Sequence, residues 1–502
     1  MITLRALLKR QAEKYGSPLS LEAQAEENPL LTEMSSDSRQ IGPGGLFCCI
    51  RGENADGHDF APSAADRGAA ALLTDHILPL DIPQIVSGDV RRDMGRLADI
   101  LYGEPSEKLL LLAATGTNGK STTVWMLRHL LKAIGIRTGL FGTILHSDGL
   151  REREADRTTP ESWEIQRDLA AMVENGCGAC VMEASSHGLM LGRLEGCRFD
   201  GAVFTNLSEE HLDYHGTLED YFLAKERLFS SFMKPLWHGA ANGDDPWGRR
   251  IRSLHPENIL AFGLESALLD VRGEGIALSI AGSEFFLVTP RGGEKTYLSL
   301  PLPGRFNVYN ALGALSLLLS FFPDQRKELA EAMKSMVQVP GRLEKYFFSN
   351  GVTVIIDFAH TPSALKNVLG ELRTMCPGKL VSVFGHGGER FEPNRPALGR
   401  NAASLADRVI ITMDNPRGES PQKIADQILE GAHFEGKPVD VRIILDRKKA
   451  VRTALDEARR GDVVVLSGKG PEKYLVIGGD KIPYSDRGEV LSWAHDRGVA
   501  EI

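Results

Sequence analysis

The chain has 502 residues, 42% of them hydrophobic and 25% charged, and a net charge of −9. That length predicts about three domains at roughly 150 residues each, and the acidic balance argues against a nucleic-acid groove as the main binding surface. No apolar run is long enough to span a bilayer, and residues 1–10 lack the long apolar core and small-residue cleavage site of a leader, so the expectation is a cytoplasmic protein without membrane insertion.

Residues 1–107 read as short strands and turns around 41–45 and Asp56-Gly57-His58. A helix over 61–68 leads to a strand over 69–73, and Gly103-Glu104-Pro105-Ser106 reads as a hinge. The second block, 108–339, opens on the apolar run 109–113. Ala114-Thr115-Gly116-Thr117-Asn118-Gly119-Lys120-Ser121-Thr122-Thr123 and a helical pattern over 124–134 follow it. Strand, glycine turn and helix start in that order make a phosphate cradle for ATP or GTP. Backbone N–H groups favour anions, Lys120 reaches the outer phosphates and Ser121 can ligate Mg²⁺. Ala114 stands where the general phosphate-loop pattern has its first glycine.

Two more strand ends in this block carry polar motifs. Val181-Met182 runs into Glu183-Ala184-Ser185-Ser186-His187-Gly188, which sets a carboxylate at a strand end where it can hold Mg²⁺ directly or through water. Val203-Phe204 runs into Thr205-Asn206-Leu207-Ser208-Glu209-Glu210-His211-Leu212-Asp213-Tyr214-His215-Gly216, with His211 a candidate metal ligand. Lys225, in a helical pattern over 218–229, reads from the residues alone as an ordinary lysine on an amphipathic helix.

The third block, 340–502, alternates strands over 352–357, 380–385, 409–413 and 463–466 with helices over 362–372, 396–405 and 421–429, a doubly wound α/β pattern. Its first strand lacks a following G-x-G-x-x-G, which argues against a dinucleotide site. Strand ends carry Asp357-Phe358-Ala359-His360-Thr361-Pro362, Gly385-His386-Gly387-Gly388-Glu389-Arg390, Asp414-Asn415-Pro416-Arg417 and Ser467-Gly468-Lys469-Gly470. Arg390 and Arg417 at neighbouring crevice edges suit carboxylate recognition, hence an acidic small molecule. Cys177-Gly-Ala-Cys180 has no second cysteine pair or paired histidines to complete a zinc site, so buried free thiols are expected.

In order along essentially the whole chain, the 115–123 run, Glu-Ala-Ser-Ser-His-Gly, Thr-Asn-Leu-Ser-x-x-His-Leu-Asp-Tyr-His-Gly and Asp-Phe-Ala-His-Thr-Pro resemble the Mur ligases, the ATP-dependent amino-acid ligases of peptidoglycan synthesis. Asp414-Asn415-Pro416-Arg417 is similar to the motif of members that add diaminopimelate; members that add lysine usually differ at the arginine. The resemblance implies three α/β domains. These are a uridine-nucleotide domain over 1–107, a central ATPase with a mostly parallel sheet over 108–339, and a Rossmann-like doubly wound domain over 340–502. It implies ATP and Mg²⁺, the substrates UDP-MurNAc-L-Ala-D-Glu and meso-diaminopimelate, an acyl-phosphate route to the amide bond, and a monomer.

By the same resemblance, Gly116, Thr117, Asn118, Gly119, Lys120, Ser121, Thr122, Asn307, Arg342 and Asp357 would contact ATP. Ser36, Ser38, Glu53, Asn54 and Ala55 would contact the UDP-muramoyl part, and Thr158, Thr159, Ser185 and Arg193 its dipeptide end. Ser121, Glu183 and His211 would bind Mg²⁺, and Lys225 matches a lysine that is carbamylated in the family, which replaces the ordinary reading given above. Arg390, Asp414, Asn415, Pro416, Arg417, Gly468 and Glu472 would receive the amino acid. The chain departs from the family pattern at Arg157, Leu191, Phe391, Asn394 and Pro471, and the last three leave lysine or lanthionine as alternative amino acids. A sister ligase such as a folylpolyglutamate synthase, and a nucleotide-binding protein without ligase activity, are the rival readings. The uridine-site pattern with Asp-Asn-Pro-Arg argues against the first, and Glu183, His211 and Lys225 argue against the second.

Overall fold

The computed structural model describes residues 1–22, 27–52, 55–266, 268–289, 295–433 and 439–502. It is mixed α/β with mostly parallel sheets, and it divides into two compact units. The first holds Met1–Arg272, Thr289–Glu294 and Tyr309–Leu329; the second holds Gly273–Val288, Lys295–Val308 and Ala330–Ile502. No helix among the described residues is long and apolar enough to cross a membrane.

The first unit opens on α1 (Leu4–Tyr15), β1 (Ser20–Glu22), β2 (Glu33–Ser35), β3 (Gly45–Cys48), α2 (Ala61–Asp66), β4 (Ala69–Thr74), β5 (Gln84–Val86) and α3 (Val90–Leu101), with a sheet in the order β1-β5-β4-β3-β2. The two long helices were not foreseen. Each packs apolar residues, such as Leu4 and Leu7 or Met94 and Leu97, within a run dense in charge.

The chain continues through β6 (Leu110–Thr115), α4 (Lys120–Ala133), β7 (Thr138–Phe141), α5 (Ser162–Glu174), β8 (Ala179–Glu183), β9 (Phe199–Phe204), α6 (Leu218–Ser231), β10 (Met233–Asn242) and β11 (Ile259–Gly263). These strands lie parallel in the order β7-β8-β6-β9-β10-β11. All residues of β6 but the first are buried, as expected of a central strand covered on both faces. Register sets Glu183 opposite Ala114 and Phe204 opposite Thr115, so three strand ends reach one edge together. Helix α4 begins at Lys120, four residues earlier than its apolar pattern, which puts Ser121 and Thr122 in its first turn.

In the second unit, β12 (Gly282–Val288) and β13 (Lys295–Leu300) pair antiparallel. A sheet follows from β14 (Glu344–Phe347), β15 (Thr353–Asp357), β16 (Leu380–Phe384), β17 (Arg408–Ile411), β18 (Asp440–Ile443) and β19 (Val463–Ser467), in the order β14-β15-β19-β16-β17-β18. Only β14 runs antiparallel. Helices α7 (Pro362–Met375), α8 (Asn394–Leu405), α9 (Pro421–Ala432), α10 (Arg447–Glu457) and α11 (Asp486–Arg497) cover it. The C-terminal ends of β15, β19, β16 and β17 lie side by side, the crevice where an open parallel sheet takes its ligand.

Candidate active site

The turn after β6 is braced by the strand beside it. Thr205 Oγ1 donates to the Asn118 carbonyl at 2.6 Å, Asn118 N–H donates to Asn206 Oδ1 at 3.0 Å, and Thr117 N–H to the Asn206 carbonyl at 2.8 Å. The Thr205–Asn206 pair is therefore the support of the phosphate loop, a role the sequence reading did not give it. Gly116 has φ +142°, and a Cβ there would stand 2.0 Å from Thr205 Oγ1, so only glycine closes the turn. Lys120 Nζ donates to the carbonyls of Gly116 at 3.0 Å and Thr117 at 2.8 Å, which keeps its charge at the loop.

Glu183 is buried at the end of β8, and its carboxylate is shared between two elements. Oε2 accepts from Ser121 Oγ at 3.0 Å and from Thr143 Oγ1 at 3.1 Å, and Oε1 accepts from Thr143 N–H at 2.8 Å. Thr143 Oγ1 also lies 3.0 Å from Thr158 Oγ1. Thr159 Oγ1 donates to the Glu183 carbonyl at 2.9 Å and lies 3.0 Å from Ser185 Oγ, while Arg193 donates to the Thr159 carbonyl at 3.2 Å. Thr158 is thus linked to the Glu183 carboxylate through Thr143, while Thr159, with Ser185 and Arg193 bonded to it, is tied to the Glu183 backbone carbonyl. Thr143 was missed; its signal is its place just past β7, the strand next to β8. The buried Ser121 hydroxyl and Glu183 carboxylate are hard oxygen donors, a set that suits Mg²⁺.

Lys225 is fully enclosed, its Nζ donating to the Gly116 carbonyl at 2.8 Å and lying 4.4 Å from the centre of the Tyr221 ring. Burial, helped by the charge of Lys120, pushes its pKa well below that of a free lysine. Its helix is amphipathic, but Lys225 lies on the buried side, so the ordinary surface reading fails. His211 is half-exposed, with its ring 5.0 Å from that of His187, and partial burial with the neighbouring His187, Lys120 and Lys225 holds its pKa low.

The remaining first-unit candidates lie towards the N-terminal sheet. Ser36 Oγ accepts from Trp163 Nε1 at 3.1 Å, Ser38 is buried, and the Ala55 carbonyl accepts from Gly52 N–H at 2.9 Å. Glu53 and Asn54 lie outside the described residues. Arg157, Arg193 and Arg91 all meet the single carboxylate of Glu161, at 2.7, 3.2 and 3.2 Å. Cys177 and Cys180 are buried free thiols.

In the second unit, Asp357 accepts from the N–H groups of Leu343 at 2.7 Å and Ala359 at 2.8 Å, and burial raises its pKa against the pull of Arg342. The Arg342 guanidinium lies 5.0 Å from the Phe358 ring centre, and Asn307 is buried with its amide on the Pro303 carbonyl at 2.7 Å. The Asp357 carbonyl accepts from Gly468 N–H at 3.1 Å, which ties this group to the next strand end. There Asn415 Nδ2 donates to Glu472 at 3.0 Å, and the fully buried Lys469 donates to Asn415 Oδ1 at 2.9 Å and meets Glu472. Asp414 is buried, and its Oδ1 has no hydrogen-bond partner among the described residues; Lys469 Nζ is 3.6 Å from it. Gly468 has φ +103°, and a Cβ there would stand 2.8 Å from Asp414 Oδ2. Arg390 is exposed, Arg417 is half-buried on the Gly388 carbonyl, and both flank Gly387; Pro416 is buried beside them.

Left-handed backbone at non-glycine residues costs about 1–3 kcal/mol and gathers at functional sites. Among the described residues it occurs at Glu104, His211, Leu343, Glu389 and Arg417. Four of these are candidate site residues or their immediate neighbours in the chain.

Family models for the Mur ligase family catalytic domain, the Mur ligase middle domain and the Mur ligase glutamate ligase domain match residues 31–101, 114–318 and 341–470. The chain is 38% identical over 467 residues to the UDP-N-acetylmuramoyl-L-alanyl-D-glutamate–2,6-diaminopimelate ligase of Bacillus licheniformis, covering 92% of this chain and 94% of that one. It is 39% identical over 479 residues to the ligase of the same name from Geobacillus kaustophilus, covering 94% and 96%. A solved structure of a UDP-N-acetylmuramoyl-L-alanyl-D-glutamate–2,6-diaminopimelate ligase matches with a TM-score of 0.68 at 31% identity, over 97% of this chain and 99% of that one.

Proposed function

The chain belongs to the Mur ligase family as an ATP-dependent ligase of peptidoglycan precursor synthesis, and we propose that it joins meso-2,6-diaminopimelate to the D-glutamate γ-carboxylate of UDP-MurNAc-L-Ala-D-Glu. The observation that carries this reading is the Glu183 carboxylate, bonded to Ser121 of the phosphate loop and, through Thr143, to Thr158. A carboxylate held by Thr158, Thr159, Ser185 and Arg193 would meet the phosphates held by Gly116, Thr117, Asn118, Gly119 and Thr122.

In the proposed reaction a γ-carboxylate oxygen of the dipeptide attacks the γ-phosphorus of ATP, and the bond to ADP breaks. The diamino acid's amine nitrogen then attacks the acyl carbon, the bond to phosphate breaks, and the amine proton leaves with the phosphate. Lys120 would exchange the Gly116 and Thr117 carbonyls for the outer phosphates and stabilise the charge that builds there. Ser121, Glu183, His211 and a carbamate on Lys225 would hold Mg²⁺, which when bound offsets the same charge. A neutral, buried Lys225 amine is the form that adds to CO₂, with loss of one proton, to give that carbamate.

Asn307, Arg342 and Asp357 would serve the nucleotide, and Ser36, Ser38, Glu53, Asn54 and Ala55 the uridine part. The Asp414 oxygen, which has no hydrogen-bond partner among the described residues, suits an ammonium group, and Arg390 and Arg417 suit a carboxylate, so with Asn415, Pro416, Gly468 and Glu472 they would seat the far end of diaminopimelate. Phe391, Asn394 and Pro471 depart from the family pattern near this pocket and leave lysine and lanthionine as the alternative amino acids. The proposed setting is the cytoplasm, with the chain acting as a monomer.

Oxygen-18 in the γ-carboxylate tests the acyl phosphate. The released phosphate should carry one labelled oxygen, and unlabelled phosphate would refute the route.

A further inference from the structure

Arg447 and Asp486 are completely buried, and neither belongs to a motif discussed above. Arg447 is the first residue of α10, and Asp486 the first of α11. Their pairing is two-pronged: Nε donates to Asp486 Oδ1 at 2.9 Å and Nη2 to Oδ2 at 2.7 Å. Tyr484 Oη adds a bond to Oδ1 at 2.8 Å. The guanidinium does not stop there. Nη2 also donates to the Ser467 carbonyl at 2.9 Å, and Nη1 to the Met413 carbonyl at 3.3 Å. Four of its donor contacts are thereby directed, out of the five N–H groups a guanidinium has.

The two carbonyls are what makes the arrangement informative. Met413 is the residue before Asp414, and Ser467 is the residue before Gly468. A carbonyl and the next N–H share one rigid peptide plane, so fixing these two oxygens fixes the planes that deliver Asp414 and Gly468. The Ser467–Gly468 plane is held from its other side as well, by the Gly468 N–H bond to Asp357 at 3.1 Å. The strands concerned, β17 and β19, are not neighbours, because β16 lies between them. The long, planar, multi-donor Arg447 side chain spans this gap and bonds a carbonyl at the head of each loop. A hydrophobic pair of similar volume would fill the space at little or no loss of stability, but it would direct neither carbonyl.

We infer that Arg447, locked by Asp486, is a positioning residue that sets the relative placement of the Asp414–Arg417 and Gly468–Glu472 loops, and through them the binding of the amino-acid substrate. The identity of that substrate rests on the function proposed above; the positioning itself does not.

The variants are Arg447→Lys, which keeps the charge and loses the fork, and Asp486→Asn, which keeps the shape and loses the lock. Hydrogen–deuterium exchange on the full chain without substrates reads the loops directly. The non-proline amides of 414–417 and 468–472 should exchange at least about tenfold faster while β15 and β16 stay protected. Unchanged exchange in both loops, or equal loosening of the whole sheet, would overturn the proposal, as would failure of both variants to fold. With turnover, KM for meso-diaminopimelate should rise about tenfold or more, with kcat and KM for ATP within about twofold of wild type. Equal rises in the KM for ATP and for the amino acid would also overturn it. If the wild type itself shows no turnover with diaminopimelate, the proposed function fails, and the exchange result still decides the positioning role.

Discussion

Burial pushes the Lys225 pKa well below that of a free lysine, and enclosure by Tyr221 and the Gly116 carbonyl leaves it no acid to pair with at hydrogen-bond distance among the described residues. If its carbamate is needed, Lys225→Ala should lower turnover by about a hundredfold or more while nucleotide binding survives. Buffer stripped of CO₂ should lower wild-type turnover reversibly, and an alanine variant with near-normal turnover would remove Lys225 from the reaction. Glu183 makes a parallel case. Glu183→Gln keeps the shape and loses the charge shared by Ser121 and Thr143, so turnover should fall by about a hundredfold with the unfolding temperature little changed. A steady-state assay beside a melting curve separates the two effects.

The turn after β6 works as one piece with the residues just past β9, because the Thr205 hydroxyl and the Asn206 side chain occupy the space beside it. Gly116→Ala would drive a methyl group into Thr205 Oγ1, 2.0 Å away, so ATP affinity should fall at least about tenfold in a chain that still folds. Calorimetric titration with ATP checks this. In the second sheet, His386 sits past β16 with its Nδ1 3.5 Å from Arg395 Nε. Burial, then the Arg395 charge, pushes its pKa from 6.5 down to about 4. Between those values the unfolded chain binds a proton that the folded chain refuses, so this contribution is fully present above pH 6.5 and is lost as pH falls towards 4. His386→Gln should therefore flatten the decline of the unfolding midpoint across that window. Parallel urea titrations of the two proteins would show it, and identical slopes would contradict it.

Across the whole molecule, the parts legible in the sequence are those with dense local signals. The phosphate loop pairs an apolar strand with obligatory glycine, and each polar motif follows a buried strand, so parallel register brings Glu183 and Thr205 to one edge. Helices α1 and α3 were not legible because charged residues interrupt their apolar patterns, and neither was the antiparallel pair β12–β13, which carries no motif. Lys225, Thr143 and Arg447 share a different reason: their roles come from what tertiary packing encloses or sets beside them, which no local pattern encodes. The central claim is that this machinery makes an acyl phosphate and passes it to a diamino acid. Its most direct test is ADP release by the purified chain with ATP, Mg²⁺ and UDP-MurNAc-L-Ala-D-Glu, supplied in turn with meso-diaminopimelate, lysine and lanthionine. The account predicts release that depends on the amino acid and is strongest with meso-diaminopimelate; no stimulation by any of the three would contradict it.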